Sequence, residues 1–255
     1  MEIETLRKSN VKLWVSKPAG KEKYYKTGRE LVINLLCEMA KLSIKYYEND
    51  LIDFPYRYGE RQLTSLILPA LSKISNGAVL SECPIKRNRH SKRNNINLDN
   101  ATGRLDYWCM YNGVAFAIEV KHSFDAFNTP ICKENIDKWN DLNVKQLPSL
   151  KEELKRKWEK NTIIPIGLHF ITSYSYSNKP LSEEEQRSLI NEYKKDVPNL
   201  LESLNQDVCQ KEPSKTTPDI LACWMPTDNM ILSDPYLTTP GLIVMGKVQP
   251  IHWSY

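Results

Sequence analysis

Two carboxylates and a lysine flank a tight turn near the middle of the chain. Asp106 stands in Gly103-Arg104-Leu105-Asp106-Tyr107-Trp108, and Glu119 and Lys121 stand in Ala117-Ile118-Glu119-Val120-Lys121. Between them lies Asn112-Gly113. Asn-Gly between strand-like runs marks a two-residue hairpin, because both central positions of a type I′ turn need positive φ. Such a loop pairs residue 111 with residue 114, and every further pair sums to 225. Asp106 is then expected directly opposite Glu119, and Arg104 opposite Lys121. Counting from the turn, Asp106 and Glu119 form a non-hydrogen-bonded pair, with Cα atoms ~4.5 Å apart and side chains on one face. Two facing carboxylates repel, and a divalent cation between them removes the repulsion. Hard cations such as Mg²⁺ take one or two carboxylates and keep several waters. A lysine two residues on can orient a water or offset charge developing on a phosphate. The chemistry that suits this set is phosphodiester hydrolysis.

The strand that carries Glu119 alternates between two faces. Val114, Phe116, Ile118 and Val120 are bulky and face a core. Ala115, Ala117, Glu119 and Lys121 take the other face, which is expected to be open, with small residues leaving room before the charged pair. The elements around it follow from periodicity. Residues 1–20 read as a polar lead-in ending in Pro18-Ala19-Gly20. Residues 23–49 read as a helix, with Leu31, Leu35, Met39, Leu42 and Tyr46 at spacings of three and four. A second helix over 58–75 carries Leu63, Leu66, Ile67, Ala70, Leu71 and Ile74, is kinked at Pro69 and stops at Asn76-Gly77. A strand over 78–85 precedes a basic loop at 86–101, and the hairpin strands cover 103–111 and 114–121. A helical segment over 131–160 is interrupted at Pro148, and an apolar strand covers 163–173. A helix over 183–205 is opened by Ser182, and late strands cover 219–225 and 242–248. This order is that of a mixed α/β domain.

Asp106, a hairpin, and then Glu119-Val120-Lys121 resemble the PD-(D/E)xK nuclease superfamily. The resemblance implies a restriction-endonuclease-like fold: a mixed central sheet flanked by helices, whose core of helix, three strands, helix and strand matches residues 58–173. Residues 1–55 are then a helical N-terminal extension, and residues 56–255 one nuclease-like unit. The resemblance implies Asp106, Glu119 and Lys121 as catalytic residues. Members that add a Glu on the first core helix point to Glu60, which shares the inward face of Leu63 and Ile67. Members that add a Gln on the helix after the motif strands point to Gln146, four residues from both Leu142 and Leu150. Leu105 stands where the family motif has proline. The implied cofactor is Mg²⁺, with Mn²⁺ a substitute, held by Asp106, Glu119 and Glu60. The implied function is a DNA endonuclease of restriction or antiviral-defence type, working as a homodimer or beside a partner subunit. A catalytically idle nucleic-acid-binding module, an RNase and a junction-specific nuclease are the alternatives. Without the resemblance, the hairpin acids read as an incidental cross-strand pair, Glu60 as an acid on a helix dipole, and Gln146 as a polar residue beside a kink.

Composition adds exclusions. The 255 residues are 41% hydrophobic and 26% charged, which excludes a disordered chain or a fibre. No apolar run approaches the ~20 residues of a membrane span. Acids in the first residues, MEIETLRKSN, oppose a secretory signal, so a cytoplasmic protein with reduced cysteines is expected. Net charge is +4, and its placement says more than its size. Lys86, Arg87, Arg89, Lys92 and Arg93 crowd one segment close to Asp106, where phosphate contacts would give salt-dependent binding. Lys151 to Lys160 is also basic but carries Glu152, Glu153 and Glu159, and reads as an ion-paired helix. Glu192-Tyr193-Lys194 repeats the acid-x-Lys letters inside a helix and reads as solvated. Gly241 to Lys247 imitates a P-loop, but bulky apolar residues and Val248 in place of Ser/Thr make it a buried strand. His90, His122, His169 and His252 show no metal spacing, and His122 falls on the core face.

Overall fold

The structure is a computed structural model that describes residues 2–8, 11–17, 22–51, 53–90, 97–127, 129–150, 154, 163–209, 216–227, 230 and 234–249. Its strands are β1 (Ile3–Lys8), β2 (Val11–Ser16), β3 (Val79–His90), β4 (Asn97–Tyr111), β5 (Val114–Ala126), β6 (Ile163–Tyr176), β7 (Ile220–Trp224) and β8 (Leu237–Val248). Its long helices are α1 (Lys23–Tyr46), α2 (Glu60–Ile74), α3 (Lys133–Asp141) and α4 (Glu183–Val208). The strands make one mixed sheet in the order β1-β2-β7-β8-β6-β5-β4-β3. Among the described residues only β5 and β6 run parallel, and α3 lies in the connection between them.

Helices cover both faces of the sheet. On one, Leu31, Leu35 and Met39 of α1 and Leu63, Leu66 and Ala70 of α2 pack on Phe116, Ile118, Leu168 and Phe170. On the other, Trp139 of α3 and Val197 and Leu201 of α4 pack on Ala115, Ala117, Ile243 and Met245. The alternation read along β5 is therefore right, but its second face is closed as well. Pro69 sits inside α2 with its ring exposed, and the helix runs on to Ile74. Ser182 caps α4 in a full capping box with Glu185. Gly241 to Lys247 is buried strand in β8, and all six cysteines are free.

The N-terminal expectation needs correction. Residues 3–16 form a hairpin, and β2 joins the main sheet through Leu13↔Trp224 and Val15↔Ala222. Residues 1–55 are thus not a purely helical extension. Val11, Leu13 and Val15 alternate with Lys12 and Trp14, a strand period hidden among charged neighbours. Both faces are used: Leu13 and Val15 pack under α1, while Trp14 packs on the opposite side. The segment expected as a loop at 86–101 is mostly strand, since β3 reaches His90 and β4 begins at Asn97. Residues 151–153 and 155–162 of the basic run lie outside the described residues.

Two buried imidazoles tie β5 to β6. His122 Nε2 is 2.9 Å from Thr172 Oγ1, whose own proton goes to the Tyr56 carbonyl at 2.7 Å, so the ring nitrogen donates. His169 Nε2 is 2.7 Å from Ser123 Oγ. Burial, with the Lys138 charge adding to it, pushes His122 down to about 4 against the weaker pull of the Tyr56 carbonyl. Burial, with the charges of Lys138, His122 and Lys121, pushes His169 down to about 3. Unfolded, each imidazole binds its proton near pH ~6.5. The unfolded chain therefore takes up more protons than the native one as pH falls, and native stability falls with it. The melting temperature is expected to drop as pH goes from ~6.5 towards ~4, with His122 contributing on the order of 3 kcal/mol. Thermal melts of wild type and His122→Gln across that window check this: the variant should show the shallower dependence, and equal slopes would contradict it.

Candidate active site

The turn forms as the sequence demands, with φ of 48° at Asn112 and 75° at Gly113. From it the ladder runs Tyr111↔Val114 to Tyr107↔Ile118 in the expected register. There it ends. The next hydrogen-bonded pair would give the Val120 N–H to the Leu105 carbonyl. That N–H goes instead to Asp106 Oδ2 at 2.7 Å. The expected Asp106–Glu119 and Arg104–Lys121 pairs are therefore not part of the ladder. Arg104 pairs with Pro84 of β3, and its guanidinium meets Glu82 at 3.2 Å.

The break extends across β4 into β3. Ser81↔Tyr107 and Cys83↔Leu105 are paired, but Glu82 and Asp106 between them are not, and Glu82 has a φ of 54°. The register is unchanged across this step, yet the alternation inverts. Val79, Tyr107 and Cys109 belong to the α1–α2 face, whereas Cys83, Ile85 and Leu105 belong to the α3–α4 face. Beyond this point β3 and β4 continue as a two-stranded ribbon through Lys86↔Thr102, Arg87↔Ala101 and Arg89↔Leu98. Of the five basic residues, Lys86, Arg87 and Arg89 are on this ribbon, and Lys92 and Arg93 lie outside the described residues.

Where β4 leaves, the second half of β5 needs other partners on that side, and α3 supplies them. Lys138 Nζ donates to the His122 carbonyl at 3.4 Å. Asn135 Nδ2 donates to the Phe124 carbonyl at 3.0 Å and to Asp125 Oδ2 at 2.8 Å. Asp125 also accepts the Cys132 N–H at the start of α3. Burial pushes the Asp125 carboxyl above its usual range, against the bonds from Asn135, the Cys132 N–H and the Ala126 N–H.

A cleft of about 790 Å³ opens between the start of α2, β5 and α3. Glu60 and Lys121 both line it, as do His122, Asp137, Lys138 and Asp141. Two of the sequence candidates are thereby brought together from positions 61 residues apart (121 − 60). Glu119 differs from expectation, being only 2% exposed. It pairs with Gly167 of β6, and a Cβ there would meet Leu147 Cδ1 at 2.9 Å and Leu142 Cγ at 3.0 Å. The small residues beside Glu119 make room for a helix, not for solvent.

Gln146 is half-buried, and its contact is with another side chain. A π turn, Leu142–Gln146, follows α3 and closes with the Leu147 N–H on the Leu142 carbonyl. The extra residue brings position i+5 beside position i, so Gln146 Nε2 donates to Asp141 Oδ2 at 2.8 Å while Lys145 Nζ holds Oδ1 at 2.7 Å. Burial raises the Asp141 carboxyl, but the bonds from Lys145 and Gln146 and the charges of Lys145 and Lys121 outweigh it, and the net shift is down. Asp141 is the functional candidate that the sequence reading missed. Its signal was the Asp137, Asp141, Lys145 spacing of four, which puts three charges on one face of a helix. Among the described residues, no three His, Cys, Asp or Glu side chains form a group that could hold a metal ion. Also among them, no helix is long and apolar enough to cross a membrane.

Comparison with family models, curated proteins and solved structures finds no match to this chain.

The packing at Gly167 can be tested directly. Gly167→Ala forces Leu142 and Leu147 away from β6 and is expected to cost about 1–3 kcal/mol by overpacking. Chemical denaturation of the variant measures that cost. A stability equal to wild type would mean that Leu142 and Leu147 do not press on β6 beside Glu119.

Proposed function

We propose that this chain is a metal-dependent nuclease of PD-(D/E)xK type with a restriction-endonuclease-like core, acting on DNA. One observation carries the reading. The Asp106 carboxylate sits on the Val120 N–H, between Glu119 and Lys121, at the point where β4 parts from β5. The element order supports it: α2, three antiparallel strands, α3, and then β6 parallel to β5. Glu60 and Lys121 in one cleft support it further.

Asp106, Glu119 and Glu60 carry carboxylate oxygens, the donors that Mg²⁺ and Mn²⁺ prefer, but the three are not gathered into one ligand group here, so holding a cation would require their carboxylates to converge. When bound, such a cation polarises the scissile phosphate and lowers the pKa of a water. The chain's own residues do the rest. The Lys121 ammonium enters the cleft from β5 and faces charge developing on the phosphate oxygens. Asp141, locked by Lys145 and Gln146, supplies a fixed negative charge whose field reaches Lys121 and biases where the ammonium rests. Gln146 acts through Asp141 and is a positioning residue. Lys86, Arg87 and Arg89 on the β3–β4 ribbon would hold phosphates away from the cut, with Lys92 and Arg93 adding to the same segment.

The 2% exposure of Glu119 favours a second reading, a catalytically idle nucleic-acid-binding module on the same scaffold. A restriction or antiviral-defence setting, a homodimer and a partner subunit rest on the family resemblance alone. Incubation with supercoiled, linear and single-stranded DNA and with RNA in Mg²⁺, with EDTA as control, decides between the readings. Wild type is expected to cleave, and Lys121→Ala and Glu119→Gln to lose on the order of 10²-fold or more in rate. Cleavage by Lys121→Ala at the wild-type rate would overturn the mechanism, and no cleavage of any substrate by wild type would favour the idle module.

A further inference from the structure

We propose that the cleft takes nucleic acid with unpaired bases, and that Tyr58 and Phe124 are the rings on which those bases stack. This rests on the nuclease reading for its substrate class and adds the strandedness that reading leaves open. Among the described residues six large apolar side chains stay in water, and two of them neighbour residues that line this cleft: Tyr58 is 61% exposed and Phe124 is 42% exposed. Tyr58 lies two residues before Glu60, which lines the cleft. Phe124 meets the ring of His122, another lining residue, edge to face at 4.8 Å.

A chain of contacts ties Phe124 to the backbone just before Tyr58. Phe124 touches His122, His122 donates to Thr172, and Thr172 donates to the carbonyl of Tyr56, two residues from Tyr58. The rings are held rather than loose. The Tyr58 hydroxyl bonds to Asp53, which also accepts from Arg57 Nη1 at 2.6 Å, and the Phe124 carbonyl is fixed by Asn135. With His122 pushed down to about 4, its buried ring is neutral at pH ~7 and brings no charge to the rim.

Beside the rim the cleft carries Lys121, Lys133, Lys138 and Lys145 together with Glu60, Glu134, Asp137 and Asp141. Lys138 pairs with Glu134 and Lys145 with Asp141, which leaves Lys121 and Lys133 as the cations nearest the rim for phosphate. Held aromatic faces next to ammonium groups are the pairing that single strands use: bases stack on the rings while phosphates follow the charges. Bases stacked inside a duplex hide their faces and cannot use such a rim. Stacking tolerates every base, so no sequence preference is required of it.

The test uses the full chain in EDTA, so that binding is read without cleavage. Fluorescence anisotropy compares a labelled single-stranded DNA, an abasic strand of equal length and charge, and a duplex. The base-containing strand should bind about tenfold or more tighter than the abasic one. Tyr58→Ala and Phe124→Ala should each weaken binding of the base-containing strand by about tenfold and leave the abasic strand unchanged. Phe124→Trp, which keeps a ring, should retain wild-type affinity, and Tyr58→Phe, which keeps the ring but loses its bond to Asp53, should weaken binding less than Tyr58→Ala. Equal affinity for the base-containing and abasic strands, a preference for duplex, unchanged alanine variants, or no binding at all would each overturn the proposal. Cleavage in Mg²⁺, scored on the same preparations, separates the two readings. Cleavage with base-independent binding removes the stacking rim and leaves the nuclease. Base-dependent binding without cleavage keeps the rim and removes the nuclease.

Discussion

The hydrogen bond from the Val120 N–H to the Asp106 carboxylate is the contact on which the cleft depends. A strand amide that should pair with a neighbouring carbonyl is given to a side chain, and the two strands part there. A buried amide without a partner costs about 1–3 kcal/mol, so the strands can separate only because the carboxylate replaces the lost acceptor. The rest follows from the parting. β5 acquires a free side, α3 moves in to bond its carbonyls at His122 and Phe124, and Lys121 opens into the space between α3 and the start of α2. Asp106 thus has a structural duty as well as the chemical one proposed for it.

The surrounding packing keeps that fork rigid. Gly167 lets the turn after α3 press against β6 beside Glu119, and the π turn locks Asp141 between Lys145 and Gln146. On the other face, the Tyr56–Thr172–His122 bonds fasten the segment before α2 to β5 and β6, which sets where Glu60 enters. π turns of this kind occur often at functional sites, because the wide turn re-aims side chains that a regular helix would place elsewhere.

Much of this was legible in the sequence where a local rule acts alone. Asn112-Gly113 set the hairpin, the two-residue alternation of Phe116 to Lys121 set its faces, and Ser182 with Glu185 set the start of α4. The order of elements from α2 to β6 was readable for the same reason. What the sequence hid depends on competition between groups distant in the chain. The register rule carried past Tyr107 put Asp106 opposite Glu119, because nothing local says that a carboxylate will outbid a carbonyl for one amide. Ala115 and Ala117 read as empty space in sequence and are helix-packing positions in the fold, and Gly167 beside Glu119 is another. Gln146 was pointed to by the family resemblance together with helical spacing, but its partner Asp141 lies five residues away, a distance that the π turn closes. The β1–β2 hairpin was missed because Lys12 and its charged neighbours mask a short strand period.

The proposed chemistry requires Asp106, Glu119 and Glu60 to take a divalent cation, and cation-linked stability measures that most directly. A ligand that binds only the native state raises the melting temperature by mass action. Thermal melts of the full chain with increasing Mg²⁺, and with K⁺ at matched ionic strength, should show a rise specific to Mg²⁺ in wild type. Asp106→Asn and Glu119→Gln should fold and lack that rise. A rise of equal size in both variants, or none in wild type at millimolar Mg²⁺, would contradict it.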